Sequence, residues 1–205
     1  MALHILDHPL GTHALTHLRD QTTKPATFRT LAHQVSLLLA LEATRDLALR
    51  TLPVTTPLET IAGRVLAQGL VVVPILRAGL GMVQPFTDLF PEVSVGYIGL
   101  ERDHETAIAH SYYCKLPPLA GKCVICVDPM LATGGSAVQA LSILRERGAT
   151  DLRMVCIVSA PEGAKAVESA HPGVPIFTGV LDRELNAKKY ILPGLGDFGD
   201  RLYGT

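Results

Sequence analysis

The sequence predicts an α/β domain in which a mainly parallel sheet is flanked by helices. Short apolar runs at 70–76, 123–127, 152–159 and 174–181 have no polar face, as befits strands buried on both sides. Helical spacing falls between such runs at 80–89, 137–147 and 164–170, with short connections, which is the rhythm of βαβ units. Hydrophobic residues make up 48% of the 205 and charged residues 18%, enough apolar material for one sizeable core. Residues 1–205 therefore read as a single domain.

Residues 1–55 form an N-terminal helical segment. A first helix spans 12–20, with Leu15 and Leu18 on one side, and a polar break follows at 21–27. A long helical pattern then runs over 28–52 through Leu31, Val35, Leu38, Leu39 and Leu49 and stops before Pro53. It has more apolar positions than a lone surface helix needs, so part of it is expected to pack on another chain. Thr56-Pro57-Leu58-Glu59 opens a short helix ended by Gly63 or Gln68-Gly69.

The strand at 70–76 leads into Arg77-Ala78-Gly79-Leu80-Gly81, a cation and two glycines at a strand's carboxyl end, suited to a diphosphate. A strand at 93–100 precedes a charged, loop-like arm at 101–118, with Arg102 at its base. The tail at 190–201 is too rich in glycine for a regular element and reads as a shaped loop within a hood at 185–205.

The chain is organised around Cys123-Val124-Ile125-Cys126-Val127-Asp128-Pro129-Met130-Leu131-Ala132-Thr133-Gly134-Gly135-Ser136. This is a buried strand, a carboxylate at its end, a loop of small residues, then a helix. Pro129 biases Asp128 away from helical geometry. The glycines let the backbone turn tightly, while unpaired N–H groups and the helix dipole attract an anion. Thr133 and Ser136 add hydroxyl donors. No Gly-Lys-Ser/Thr follows, which disfavours a nucleoside triphosphate cradle, and the spaced glycines of a dinucleotide fingerprint are absent. A carboxylate just upstream of a phosphate nest points to a sugar phosphate, with Asp128 accepting from ribose hydroxyls.

Other patterns carry less chemistry. Cys123 and Cys126 make a C-x-x-C, but residues three apart in a strand face opposite sides, so core packing is expected rather than zinc or redox chemistry. His4 with His8 and His13 with His17 have helical spacing, yet no neighbouring acid or cysteine completes a metal site. The formal net charge of −1 provides no basic field for nucleic acid. No apolar run approaches the roughly 20 residues of a membrane helix, and the expected location is the cytoplasm.

The central stretch resembles the signature of the phosphoribosyltransferases. Its Asp128-Pro129-Met130 variant, in place of two adjacent acids, is similar to the uracil branch of that family. So are His8-Pro9-Leu10, Glu42-Ala43-Thr44-Arg45-Asp46-Leu47 and the tail Tyr190-Ile191-Leu192-Pro193-Gly194-Leu195-Gly196-Asp197-Phe198-Gly199-Asp200-Arg201. The resemblance implies a phosphoribosyltransferase-type fold with a flexible arm and a C-terminal hood. It implies transfer of 5-phosphoribosyl-1-diphosphate (PRPP) to uracil, giving UMP and diphosphate, in pyrimidine salvage. Arg77, Arg102, Asp128, Pro129, Met130, Leu131, Ala132, Thr133, Gly134, Gly135, Ser136 and Asp197 then bind PRPP. Ile191, Gly196, Asp197 and Phe198 hold uracil through backbone groups. Asp128, Arg102 and Asp197 are the catalytic candidates, with no dedicated general base.

The resemblance further implies magnesium arriving with PRPP, a homodimer or higher homo-oligomer, and GTP as a possible effector. Two departures stand out: Glu101 replaces a tyrosine of the family's Gly-Leu-Tyr-Arg run, and Phe198 replaces a frequent alanine. The rival readings are a phosphoribosyltransferase for another base, which would lack this tail, and an RNA-binding regulator, which would need a basic face.

Overall fold

The computed structural model describes residues 2–102 and 109–205, without the side chains of residues 101, 102 and 109–111. The chain begins with β1 (Leu3–Ile5), α1 (Pro9–Arg19), α2 (Pro25–Ala43) and a hairpin of β2 (Leu49–Thr55) and β3 (Thr60–Leu66). Next come β4 (Leu70–Leu76), a 3-10 turn (Ala78–Met82), α3 (Val83–Leu89), β5 (Ser94–Val95), β6 (Tyr97–Arg102) and β7 (Ala109–Lys115). The central motif supplies β8 (Cys123–Val127), β9 (Met130–Leu131) and α4 (Gly135–Glu146). It is followed by β10 (Asp151–Ser159), α5 (Pro161–Ala170) and β11 (Ile176–Leu181). The hood consists of β12 (Glu184–Leu185), β13 (Ile191–Leu192) and α6 (Phe198–Tyr203).

Seven strands lie in the order β1-β11-β10-β8-β4-β6-β7, parallel except for the last pair, while β5 joins β4 and β9 joins β10. Every residue of β8 and nearly every residue of β4 is buried. Alternate side chains enter two cores. Val72, Cys123, Ile125 and Val127 pack with Phe28, Val35 and Leu39 of α2 on one face. Val71, Val73, Val124 and Cys126 pack with Leu141 and Leu144 of α4 on the other. Cys123 and Cys126 thus occupy opposite faces of the sheet.

Five expectations need correction. The long helix does not continue to residue 52; α2 ends at Ala43. The buried guanidinium of Arg153 donates to the Ala43 carbonyl (2.6 Å) and pairs with Asp46, which seals the helix end against the sheet. The apolar positions of α2 are taken up by this chain's own core, so its pattern does not require another chain. Residues 49–66 then pair as a two-stranded hairpin, from Leu49 opposite Leu66 to Thr55 opposite Thr60.

Thr56 opens no helix either: its hydroxyl accepts the N–H groups of Leu58 (3.2 Å) and Glu59 (3.0 Å) and closes the hairpin turn. The same Thr-x-x-Glu pattern serves a helix start or a turn, and the strands on either side select the turn here. The arm is not a loop throughout, because β7 pairs antiparallel with β6, with a register shift between Gly99 and Leu100. Residues 103–108 of the arm lie outside the described residues. The tail is not wholly irregular: β12 pairs with β13, and α6 follows under an Asp197 cap.

Candidate active site

The carboxyl ends of β4, β8 and β10 carry the predicted loops. Asp128 leaves β8 with its N–H donated to the Val155 carbonyl at 3.1 Å. The Pro129 carbonyl accepts from both Ile157 and Val158 at 3.0 Å, and Met130–Leu131 run beside β10. The first half of the loop is therefore pinned to the sheet. Gly134 adopts φ +83, a left-handed conformation that glycine tolerates, and α4 starts at the next residue. The cap residue Gly134 has no side chain and the first turn holds no acid, so the positive end of the helix dipole is not offset there by an acid of its own. Gly135 is exposed at this point, and Thr133 and Ser136 are half-buried.

The start of α5 closes on this loop. A Cβ on Gly163 would lie 2.6 Å from the Leu131 carbonyl oxygen, and one on Gly134 would lie 2.9 Å from the Gly163 carbonyl oxygen. On the other side, a Cβ on Gly79 would lie 2.7 Å from the Val127 carbonyl oxygen. The Arg77 loop therefore sits directly against the end of β8. Arg77 is exposed, and its carbonyl accepts the Tyr203 hydroxyl at 3.4 Å. Gly81 comes equally close to Leu202 of α6, so the hood rests on the same turn.

Within the hood, the Asp197 carboxylate accepts the Asp200 N–H at 2.9 Å as the amino-terminal cap of α6. The Phe198 ring is buried and meets Phe28 of α2 edge to face, with centroids 5.2 Å apart. The side chain thus serves the core beneath the hood. Leu185 donates its N–H to the Glu162 carboxylate at 3.0 Å, which ties β12 to α5.

A cleft of about 350 Å³ lies between hood and sheet, lined by Ala78, Met130, Ala132, Lys188, Lys189, Tyr190, Ile191 and residues 196–199. It gathers all four predicted base residues with one residue of the Arg77 loop and two of the central motif. Arg77, Asp128 and residues 133–136 lie at the neighbouring strand and helix ends, not on its walls. Arg102 closes β6 by its backbone, and its side chain is outside the description. A larger cleft, about 600 Å³, opens at the amino end of β4 beside Arg50, Leu70 and Glu92 and holds none of the predicted site residues.

Sequence reasoning missed Ala78, Lys188, Lys189, Tyr190 and Gly163. Lys189 adopts φ +66, and nothing in its residue type signals that. Burial pushes the Cys123 and Cys156 thiols up to about 12, and Cys126 upward as well, so these thiols are packing groups. Among the described residues, no three His, Cys, Asp or Glu side chains converge to hold a metal ion.

The fold is that of the phosphoribosyltransferases: a hypoxanthine-guanine phosphoribosyltransferase from Bacillus anthracis superposes with TM-score 0.55 at 14% identity, over 77% of this chain and 80% of that one. At that identity the likeness is one of fold. The AQ2163 protein of Aquifex aeolicus is far nearer, with TM-score 0.94 and 39% identity over 99% and 98% of the two chains. A uracil phosphoribosyltransferase of Natranaerobius thermophilus is 49% identical over 99% of this chain and 98% of its own length. One of Mesorhizobium japonicum is 50% identical over 98% and 97%. The family model for uracil phosphoribosyltransferase matches residues 5–205, and the chain belongs to that family.

Proposed function

We propose that this chain transfers the phosphoribosyl group of PRPP to N1 of uracil, giving UMP and diphosphate. The observation that carries the reading is the single cleft in which Ile191 and residues 196–198 of the hood meet Ala78, Met130 and Ala132 of the strand-end loops. The base occupies that cleft. The 5′-phosphate lies at residues 133–136 on the start of α4, and Asp128 accepts from the ribose hydroxyls. Arg77 and Arg102 take the charge of the departing diphosphate, and Asp197 contributes to holding the donor.

In this reaction the C1′–diphosphate bond breaks as N1 of uracil bonds to C1′, the diphosphate takes the electron pair, and the N1 proton is released to solvent. Positioning and stabilisation of that charge supply most of the acceleration. Magnesium is written here as part of the substrate, bound to the diphosphate. The four cysteines form no disulfide, which suits a reducing cytoplasm. GTP as effector follows from the resemblance alone, and adding GTP to the assay tests it.

A homodimer joins the proposal. The β2–β3 hairpin leaves Leu49 and Ile61 each 45% exposed, and an isolated two-stranded hairpin is marginal without a partner surface. Sedimentation of the protein should give twice the chain mass. The activity test is direct: the protein with magnesium and PRPP should form nucleotide from uracil and not from cytosine, hypoxanthine or adenine. Absence of UMP overturns the reading.

A further inference from the structure

We propose that Arg19 and Asp182 are positioning residues for the base, together fixing the loop that carries the uracil-side wall of the cleft. This rests on the reading of that cleft as the base site. Gly196 and Asp197 line the base cleft on one side and, on the other, a second cleft of about 440 Å³ that reaches Arg19, Gln21 and Arg201. At these residues the loop is a thin wall between two open spaces, so side-chain packing alone does not set its position.

The Arg19–Asp182 pair sets it instead. Arg19, at the end of α1, grips Asp182 with both terminal nitrogens, at 2.6 and 2.9 Å. One of those nitrogens also donates to the Gly194 carbonyl at 2.8 Å. The same Asp182 oxygen that receives it accepts the Gly194 N–H at 2.9 Å. Both backbone groups of Gly194 are thus held by one ion pair, whose carboxylate is 3% exposed and whose guanidinium is 25% exposed. Gly194 has φ +60, and a Cβ there would collide with the Ile191 carbonyl oxygen, so only glycine fits at the clamped position.

Asp182 in turn is fixed by the sheet, since its N–H donates to the Ser159 carbonyl at 2.8 Å beyond the end of β11. Arg201 adds a second clamp: it donates to Leu195 (2.7 Å), to Asp20 (2.6 Å) and to Leu18. The clamp joins the end of α1 to the residue just before Gly196. A buried bidentate pair loses its geometry when either charge or the planar fork is removed. A reacting group displaced by about 1 Å costs on the order of a hundredfold in rate. Here the displaced group would be chiefly the base, since the sugar donor keeps Arg77, Asp128 and residues 133–136 and loses only its contact with Asp197.

The test compares Arg19→Gln, Arg19→Lys and Asp182→Asn with the unaltered protein. KM for uracil should rise at least about tenfold in Arg19→Gln and Asp182→Asn. KM for PRPP should rise by a smaller factor, and discrimination against cytosine should fall. Arg19→Lys, which keeps the charge but not the fork, should fold and still lose uracil affinity. Amide hydrogen exchange at Gly194 gives a readout independent of turnover and should accelerate in all three variants. An unchanged Gly194 exchange rate, or equal changes in both KM values, overturns the inference. A wild-type protein that forms no UMP overturns the underlying reading instead, whatever the exchange rates show.

Discussion

Gly163 meets the carbonyl of Ala132 so closely that a Cβ at Gly163 would lie 2.5 Å from that oxygen. The first turn of α5 is therefore locked, backbone against backbone, to the loop that presents Thr133 to Ser136. The same approach is seen from the other side, where a Cβ on Gly134 would lie 2.8 Å from the Ala166 methyl group. The shape of the phosphate loop is thus decided by a neighbouring helix as well as by its own glycines.

Gly163→Ala should damage the loop although alanine is the better helix former by roughly 0.5–1 kcal/mol. Any net loss then comes from the collision at Ala132. We expect KM for PRPP to rise and kcat/KM to fall at least about tenfold, which corresponds to about 1.4 kcal/mol. Helix content by circular dichroism should be retained. Wild-type affinity for PRPP in the folded variant would show that the contact does not shape the donor site.

Asp128 offers a second test. Asp128→Asn keeps the shape and replaces an acceptor oxygen with a donor. Loss of a charge-assisted hydrogen bond costs about 1.5–3 kcal/mol, so kcat/KM should fall at least about tenfold with folding kept. Steady-state kinetics on the folded variant decide it, and unchanged values remove Asp128 from the ribose site.

The buried thiols give a prediction about pH. Burial raises Cys123 and Cys156 from 9.0 to about 12 in the folded chain. The unfolded chain therefore releases these protons first. The contribution to stability is complete below pH 9 and is lost as pH rises towards 12. Urea midpoints should fall steadily over that window. At pH 8, native protein should leave Cys123, Cys126 and Cys156 unreacted with a maleimide, and unfolding should expose all four cysteines. Rapid native labelling of Cys123 or Cys126 would restore a chemical role for the C-x-x-C.

The sheet was legible because β4, β8, β10 and β11 are largely buried and so are written as predominantly apolar runs. The order of loops at their carboxyl ends followed from those runs, and Arg77, Asp128 and Thr133 do lie just beyond strand ends. What failed were elements decided by partners distant in sequence. Arg153 ends α2 from 110 residues away by holding the Ala43 carbonyl, and no local signal at Ala43 announces it. The hairpin strands β2 and β3 read as helix because Leu49 and Thr56-x-x-Glu59 suit either state until they pair. Gly163 falls just before the helix expected at 164–170; its role lies in a contact with Ala132 that the sequence order hides.

Phe198 allows the base-reading role of the hood to be separated from its packing role. Its ring lies in the core against Phe28, so Phe198→Ala should cost about 3–5 kcal/mol of stability by leaving a cavity. On the proposed reading of the base by backbone groups, the preference for uracil over cytosine should survive. Phe198→Pro removes the same ring and also the N–H. Position 198 is the first residue of α6, where proline is accommodated, and Asp197 before it is extended at φ −77, ψ 116, as a residue preceding proline requires. The two variants should therefore share a similar loss in urea midpoint. They should differ in the site: KM for uracil should rise at least about tenfold further in Phe198→Pro, as one buried partner of the base disappears. Equal uracil kinetics in the two variants would mean that the Phe198 N–H does not read the base.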